Sequence, residues 1–181
     1  MEEITNTKER TNAKLRYARV HLEELRSHQR KGSGDDFERS HQESFLSHLF
    51  GARDAFLQEL NLYYNCGLEL HEVTANKLKN KLSKMDIKCP ELDKLIQYEK
   101  NPKCWLHDAK EMRNHSTHRR SVPRAFHVGG EYDGKVFLRN PQSGKLIEND
   151  YTDLFEEWCS KMETLLNDLR KTAISRYQPN R

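Results

Sequence analysis

The chain has no long hydrophobic run, little excess of either charge, few cysteines and no repeated or low-complexity tract, and each absence narrows what it can be. No stretch approaches the roughly 18 consecutive apolar residues of a spanning helix. The acidic, polar start Met1-Glu2-Glu3-Ile4-Thr5-Asn6 lacks the apolar centre of a secretory signal. The expectation is a soluble, cytoplasmic protein with no membrane partner. Cys66, Cys89, Cys104 and Cys159 form no C-x-x-C pair and have no histidine pair at zinc-like spacing. They read as buried free thiols, and neither a metal nor another cofactor is expected. Lys and Arg number 31 against 28 Asp and Glu, a formal charge of +3. So mild an excess does not by itself predict a nucleic-acid partner, because a solvated surface gives the same figure.

What is present is charge and periodicity. Hydrophobic residues make up 35% and charged residues 33% of the chain, against about 45–50% and 25% in an average globular protein. That balance suits long amphipathic helices with wide wet faces, while periodic apolar residues, seven Phe, Trp105 and Trp158 exclude disorder. A length of 181 residues fits one domain, 1–181. Leu15, Ala18, Leu22 and Leu25 draw one stripe down a helix over about 5–30, which Lys31-Gly32-Ser33-Gly34-Asp35 ends. Phe45, Leu46, Leu49, Phe50, Ala52, Phe56, Leu57 and Leu60 give a second helix, over about 36–64, a stripe broad enough for the centre of the core. A short helix carries Lys77, Lys79, Lys81 and Lys84, and another follows Pro90. Asn101-Pro102 predicts a capped helix start, with Trp105, Ala109 and Met112 facing inward. Phe126, Val128, Val136 and Leu138 alternate around Gly129-Gly130 and Asp133-Gly134 as in a hairpin, and Ser143-Gly144 suggests a second turn. A last helix, over about 150–174, buries Leu154, Trp158, Met162, Leu165 and Leu169, with acids near its start and Arg170 and Lys171 near its end. The predicted fold is all-α, an up-and-down helical bundle with a small β-hairpin insertion, about 124–148, before the last helix.

The chemistry concentrates in Arg113-Asn114-His115-Ser116-Thr117-His118. Arg113 and His118 stand at R-x4-H spacing, with Asn114 after the arginine, on a helix whose other face is apolar. In this motif, and in the order and length of its helices, the chain resembles the HEPN superfamily. The resemblance implies a four- to five-helix bundle, commonly homodimeric, with the motif at the dimer cleft. It also implies a metal-independent endoribonuclease of the kind used in toxin–antitoxin systems, phage defence or stress responses, cutting RNA to a 2′,3′-cyclic phosphate and a 5′-OH. A regulatory protein or antitoxin is then an expected partner.

The residue types fit that chemistry. Metal-free cleavage needs the neighbouring 2′-OH to lose a proton as it attacks phosphorus, and an imidazole with a pKa of about 6.5 serves as that base. His118 takes this role. A guanidinium offers a permanent charge and a forked donor set to the non-bridging oxygens, which is the role of Arg113, with Asn114 as its support. Arg119, Arg120 and Arg124, close behind, are candidate RNA-binding residues that would position phosphates. One branch of the superfamily carries a tyrosine two places after the histidine, where its antitoxin attaches AMP. Arg120 stands there in this chain, so silencing by that modification is not expected.

Five positions along an ideal helix turn a side chain by about 140°, so Arg113 and His118 share a face only if the helix ends between them or if they meet across two subunits. Plainer readings stand beside these. Arg113 is also suited to an ordinary ion pair, and His118 to a solvated helix end. His115 and His118 lack a third metal ligand. Two further function classes therefore stay open: a non-catalytic HEPN-like module that binds RNA or nucleotide, and a structural helical partner domain.

Overall fold

Where the apolar stripes run three and four residues apart, the chain forms helices that bury them. The computed structural model describes residues 2–29, 35–118, 123–133 and 136–176. Its elements are α1 (Glu2–Gln29), α2 (Asp35–Tyr63), α3 (Ala75–Lys84), α4 (Pro90–Lys100), α5 (Trp105–His118), β1 (Arg124–Phe126), β2 (Val136–Arg139), β3 (Leu146–Asp150) and α6 (Tyr151–Arg176), with single 3-10 turns at Leu70–Glu72 and Gly130–Tyr132. This is an all-α bundle carrying a small sheet before its last helix. The segment predicted to separate α1 from α2 lies mostly outside the described residues.

The two longest helices form an antiparallel pair, since Thr11 meets Glu59, Tyr17 meets His48 and His28 meets Phe37. α6 lies parallel to α2: Phe45 stacks on Phe155 at 4.2 Å, Arg170 grips Glu59, and the Tyr63 hydroxyl donates to the Ala173 carbonyl at 2.9 Å. Leu22, Leu25, Leu46, Leu49, Leu57, Phe45, Phe155 and Met162 are fully buried in the shared core. Glu59 is buried there as well, yet both its oxygens take Arg170 donors at 2.7 Å and Thr11 adds its hydroxyl. The buried carboxylate is thus fully paired. Cys66, Cys89 and Cys159 are buried free thiols and Cys104 is half-buried. Burial pushes Cys89 up to about 12 and Cys159 up to about 11, so both stay protonated and chemically quiet.

Two local readings change. Asn101-Pro102 does not start α5. The Asn101 side chain accepts from the Lys103 amide at 3.0 Å and its carbonyl from the Cys104 amide at 2.9 Å. That closes a separate turn, and α5 begins at Trp105. The same Asx geometry serves a turn or a cap, and the sequence alone does not choose. The insertion is also larger than a hairpin, with three antiparallel strands in the order β1-β2-β3 and Ala125 opposite Phe137. Gly144, at φ +66, lets the chain turn from β2 into β3. Leu138 joins the helical core. Asp150 at the end of β3 accepts from the Thr152 amide at 2.9 Å and so caps α6. Among the described residues no helix is long and apolar enough to cross a membrane.

Candidate functional site

α5 places the motif. Leu106, Ala109 and Met112 are fully buried and anchor the helix, which leaves the residues between them to face outward or sideways. Arg113 is half-buried, and its Nη1 donates to Asn114 Oδ1 at 3.2 Å. The hydroxyls of Ser116 and Thr117 both return to the Arg113 carbonyl, at 2.9 and 2.8 Å. This back-bonding lets a Ser-Thr pair sit within a helix, and α5 continues through His118. The helix does not end between the two motif residues, so an ideal path leaves them about 140° apart around the axis and roughly 7.5 Å along it. The side chain of His118, and all of Arg119 and Arg120, lie outside the described residues.

Lys110, one turn before Arg113, is already ion-paired. Glu99, 5% exposed, receives Arg53 at 2.6 Å and Lys110 at 2.9 Å. Arg124, 11% exposed, holds Glu38 of α2 at 2.9 Å, which ties β1 to the bundle. Arg113 lies one turn beyond Lys110, and among the described residues it has no carboxylate partner. Arg113 and Asn114 are thus brought together, while Arg124 is committed to Glu38 within the chain. His115 is half-buried. No group of three or more His, Cys, Asp or Glu side chains that could hold a metal occurs among the described residues.

Two polar groupings were missed in the sequence. Along the α1/α2 seam the rings of Tyr17, His48, His21, His41, Phe37 and His28 follow one another at centroid distances of 5.4, 5.4, 5.1, 4.2 and 3.8 Å. The Nδ1 atoms of His21 and His41 are 3.1 Å apart, within hydrogen-bond distance. Burial and then His41 lower the pKa of His21, and burial, Lys14 and His21 lower that of His48. The signal was available: His21 and His28, like His41 and His48, stand seven apart, two helical turns, on neighbouring helices. The other grouping is a cleft of about 370 Å³ between the start of α5 and the β2–β3 turn, lined by His107, Asp108, Asn140, Ser143 and Lys145 among others. There Asn140 Nδ2 donates to Asp108 Oδ1 at 2.9 Å. Nothing in the local sequence marked it, since Asp108 reads as a dipole-favoured residue in the first turn of a helix and Asn140 as a turn residue.

The chain matches no protein-family model, and neither the curated proteins nor the solved structures provide a match.

Proposed function

We propose that the protein is a homodimeric, metal-independent endoribonuclease of the HEPN type, working in the cytoplasm in defence or stress under the restraint of a regulatory protein. The observation that carries this reading is the half-buried guanidinium of Arg113. Lys110, one turn away on α5, is neutralised together with Arg53 by Glu99, whereas among the described residues Arg113 pairs with no carboxylate and donates to the side-chain amide of Asn114. A guanidinium with no anionic partner among the described residues suits a phosphate. In the proposed reaction the His118 imidazole takes the proton of the 2′-OH, and O2′ attacks phosphorus. The P–O5′ bond then breaks, the departing oxygen takes a proton from solvent water, and the His118 imidazolium returns its own proton to solvent. Arg113 holds the non-bridging oxygens throughout. Asn114 orients Arg113, and Arg119 and Arg120 extend the positive field along the strand. We assign Arg124 to fixing the sheet on α2 and not to the substrate.

The second reading, a module that binds RNA or nucleotide without cutting, draws on the unbroken helix, because a single copy of α5 does not present Arg113 and His118 on one face. Incubation with RNA in EDTA separates the two. Cleavage products ending in a cyclic phosphate, lost by roughly 10²-fold or more in His118→Ala and in Arg113→Ala, are expected. Salt-sensitive binding without products would establish the module instead.

A further inference from the structure

The cleft between α5 and the β2–β3 turn has the features of a built recognition site. Asn140 is fixed on every side. Its Oδ1 accepts the amides of Gln142 and Ser143, both at 3.0 Å, its backbone amide donates to the Lys145 carbonyl at 2.9 Å, and its carbonyl accepts the Gly144 amide at 2.8 Å. These bonds orient the side-chain amide without ambiguity and commit its NH2 to Asp108 Oδ1. The carboxylate is thereby held in one pose, with Oδ2 left over. Among the described residues no Lys or Arg pairs with it, and the His107 Nδ1 is 3.8 Å from its Oδ1. That Nδ1 is itself buried and has no hydrogen-bond partner among the described residues. One wall of the cleft therefore offers a strong, oriented acceptor, with the buried His107 Nδ1 behind it, 3.8 Å from Asp108 Oδ1. Pro102 on one side and Leu146 and Ile147 of β3 on the other make apolar walls, and the volume falls within the roughly 300–1,000 Å³ of small-ligand sites.

The cleft is also on the path to the motif. His107, Glu111, Asn114 and His118 are spaced by four, three and four residues and so share one face of α5. From His107 to His118 that face spans about 16 Å, the reach of a short single-stranded segment.

We propose that this cleft is a base subsite that takes a guanine of single-stranded RNA whose backbone follows the outer face of α5 to the motif. The inference rests on the RNA-directed reading of Arg113 and His118 and deepens it by naming the base. Guanine alone among the four bases presents two adjacent donors, N1–H and the N2 amine, on its Watson–Crick edge, and a carboxylate accepts both. Adenine would set its N1 acceptor against the carboxylate, and uracil and cytosine each offer one donor beside an acceptor. Single-stranded bases are read in this way, on their hydrogen-bonding edges between apolar or aromatic walls.

Calorimetric titration of the full chain with guanosine, inosine, adenosine, cytidine and uridine tests the cleft without requiring cleavage. Guanosine is expected to bind roughly tenfold or more tightly than inosine, which lacks only the N2 amine, with the other three weaker still. Asp108→Asn keeps an oxygen to accept from Asn140 and turns the open oxygen into a donor. It should abolish the guanosine preference while leaving the melting temperature in place. Equal affinity for all five nucleosides, no saturable binding, or an undiminished guanosine preference in a folded Asp108→Asn protein would overturn the proposal. The wild-type guanosine-to-inosine ratio decides even if that variant fails to fold. Cleavage in EDTA reports on the other reading. RNA cut without guanine dependence and without guanosine binding removes the subsite alone, whereas guanosine binding with no cleavage keeps the subsite and removes the nuclease.

Discussion

Arg113 and Lys110 lie one turn apart on α5 with different partners, and under the proposed function that difference predicts opposite phenotypes. Lys110 helps neutralise Glu99, a carboxylate 5% exposed and shared with Arg53. Removing one partner of a fully buried ion pair costs about 3–5 kcal/mol. Here Arg53 remains and Lys110 is itself a third exposed, so the loss in Lys110→Ala should be discounted to about 1–2 kcal/mol. At roughly 2–4 °C per kcal/mol for a chain of this size, the melting temperature should fall by several degrees while RNA affinity changes little. Arg113 pairs with no carboxylate among the described residues and contacts the amide of its neighbour. Arg113→Ala should therefore melt within about 0.5 kcal/mol of wild type, lose cleavage, and flatten the dependence of RNA affinity on log[salt] by about 0.7, the share of one phosphate contact to a single strand. Thermal denaturation and a salt series of binding isotherms on the two variants make the comparison. If Arg113→Ala unfolds as readily as Lys110→Ala and binds RNA with the wild-type slope, the guanidinium is structural and the site assignment is wrong.

Acid should weaken the α1/α2 seam. His21 and His48 have folded pKa values below their ordinary 6.5, so as the pH drops the unfolded chain takes up the protons first. Stability is full above 6.5 and declines as the pH falls from there through the lowered folded values. His21 is faced by His41, His48 and Glu24, and His48 by Lys14, His21 and Tyr17. Urea midpoints at pH 7.5 and 5.5 should differ in the wild type and converge in a His21→Gln/His48→Gln double variant; a wild-type midpoint independent of pH would refute this. At the far end of the bundle, Arg170→Met should strand the buried Glu59 carboxylate and cost about 3–5 kcal/mol. Adding Glu59→Leu should restore most of that in chemical denaturation, and failure to do so would mean that the pair does more than neutralise itself.

Periodicity made the long helices legible, because burial on one face of a helix leaves its trace three and four residues apart. α1, α2 and α6 lie within a few residues of where Leu15 to Leu25, Phe45 to Leu60 and Leu154 to Leu169 put them. Local signals were less decisive. Asn101-Pro102 can cap a helix or close a turn, and only the Lys103 and Cys104 amides settle which. β3 went unread as a strand because Leu146-Ile147 gives way to Glu148-Asn149-Asp150, with no alternation to follow. The motif itself could be found by residue type and spacing. The ion pairs of Glu99 and Glu38 could not, since Glu99 takes Arg53 from 46 residues away and Glu38 takes Arg124 from 86. The same is true of the cleft at Asp108, which exists only because Asn140, 32 residues later, folds back onto it.

The unbroken α5 has a consequence for how a nuclease of this kind must be assembled. Ser116 and Thr117 return their hydroxyls to the Arg113 carbonyl and keep the helix intact, so the five-residue spacing holds the two motif side chains on different faces of one copy. A two-fold axis beside α5 removes the difficulty, because the Arg113 face of one copy can then meet the His118 face of the other, twice over. If that is how the site forms, Arg113→Ala and His118→Ala chains, each inactive alone, should complement when mixed. Random exchange makes half of the dimers mixed. In each of these, one composite site combines the intact Arg113 of one chain with the intact His118 of the other, while its twin has lost both residues. The mixture should recover about one quarter of wild-type cleavage. A site built within one chain predicts none, because every copy in the mixture lacks one of its two residues. Cleavage measured after refolding the variants together, with sedimentation to verify that they dimerise, separates the outcomes. A mixture that forms dimers and stays inactive would rule out the shared site.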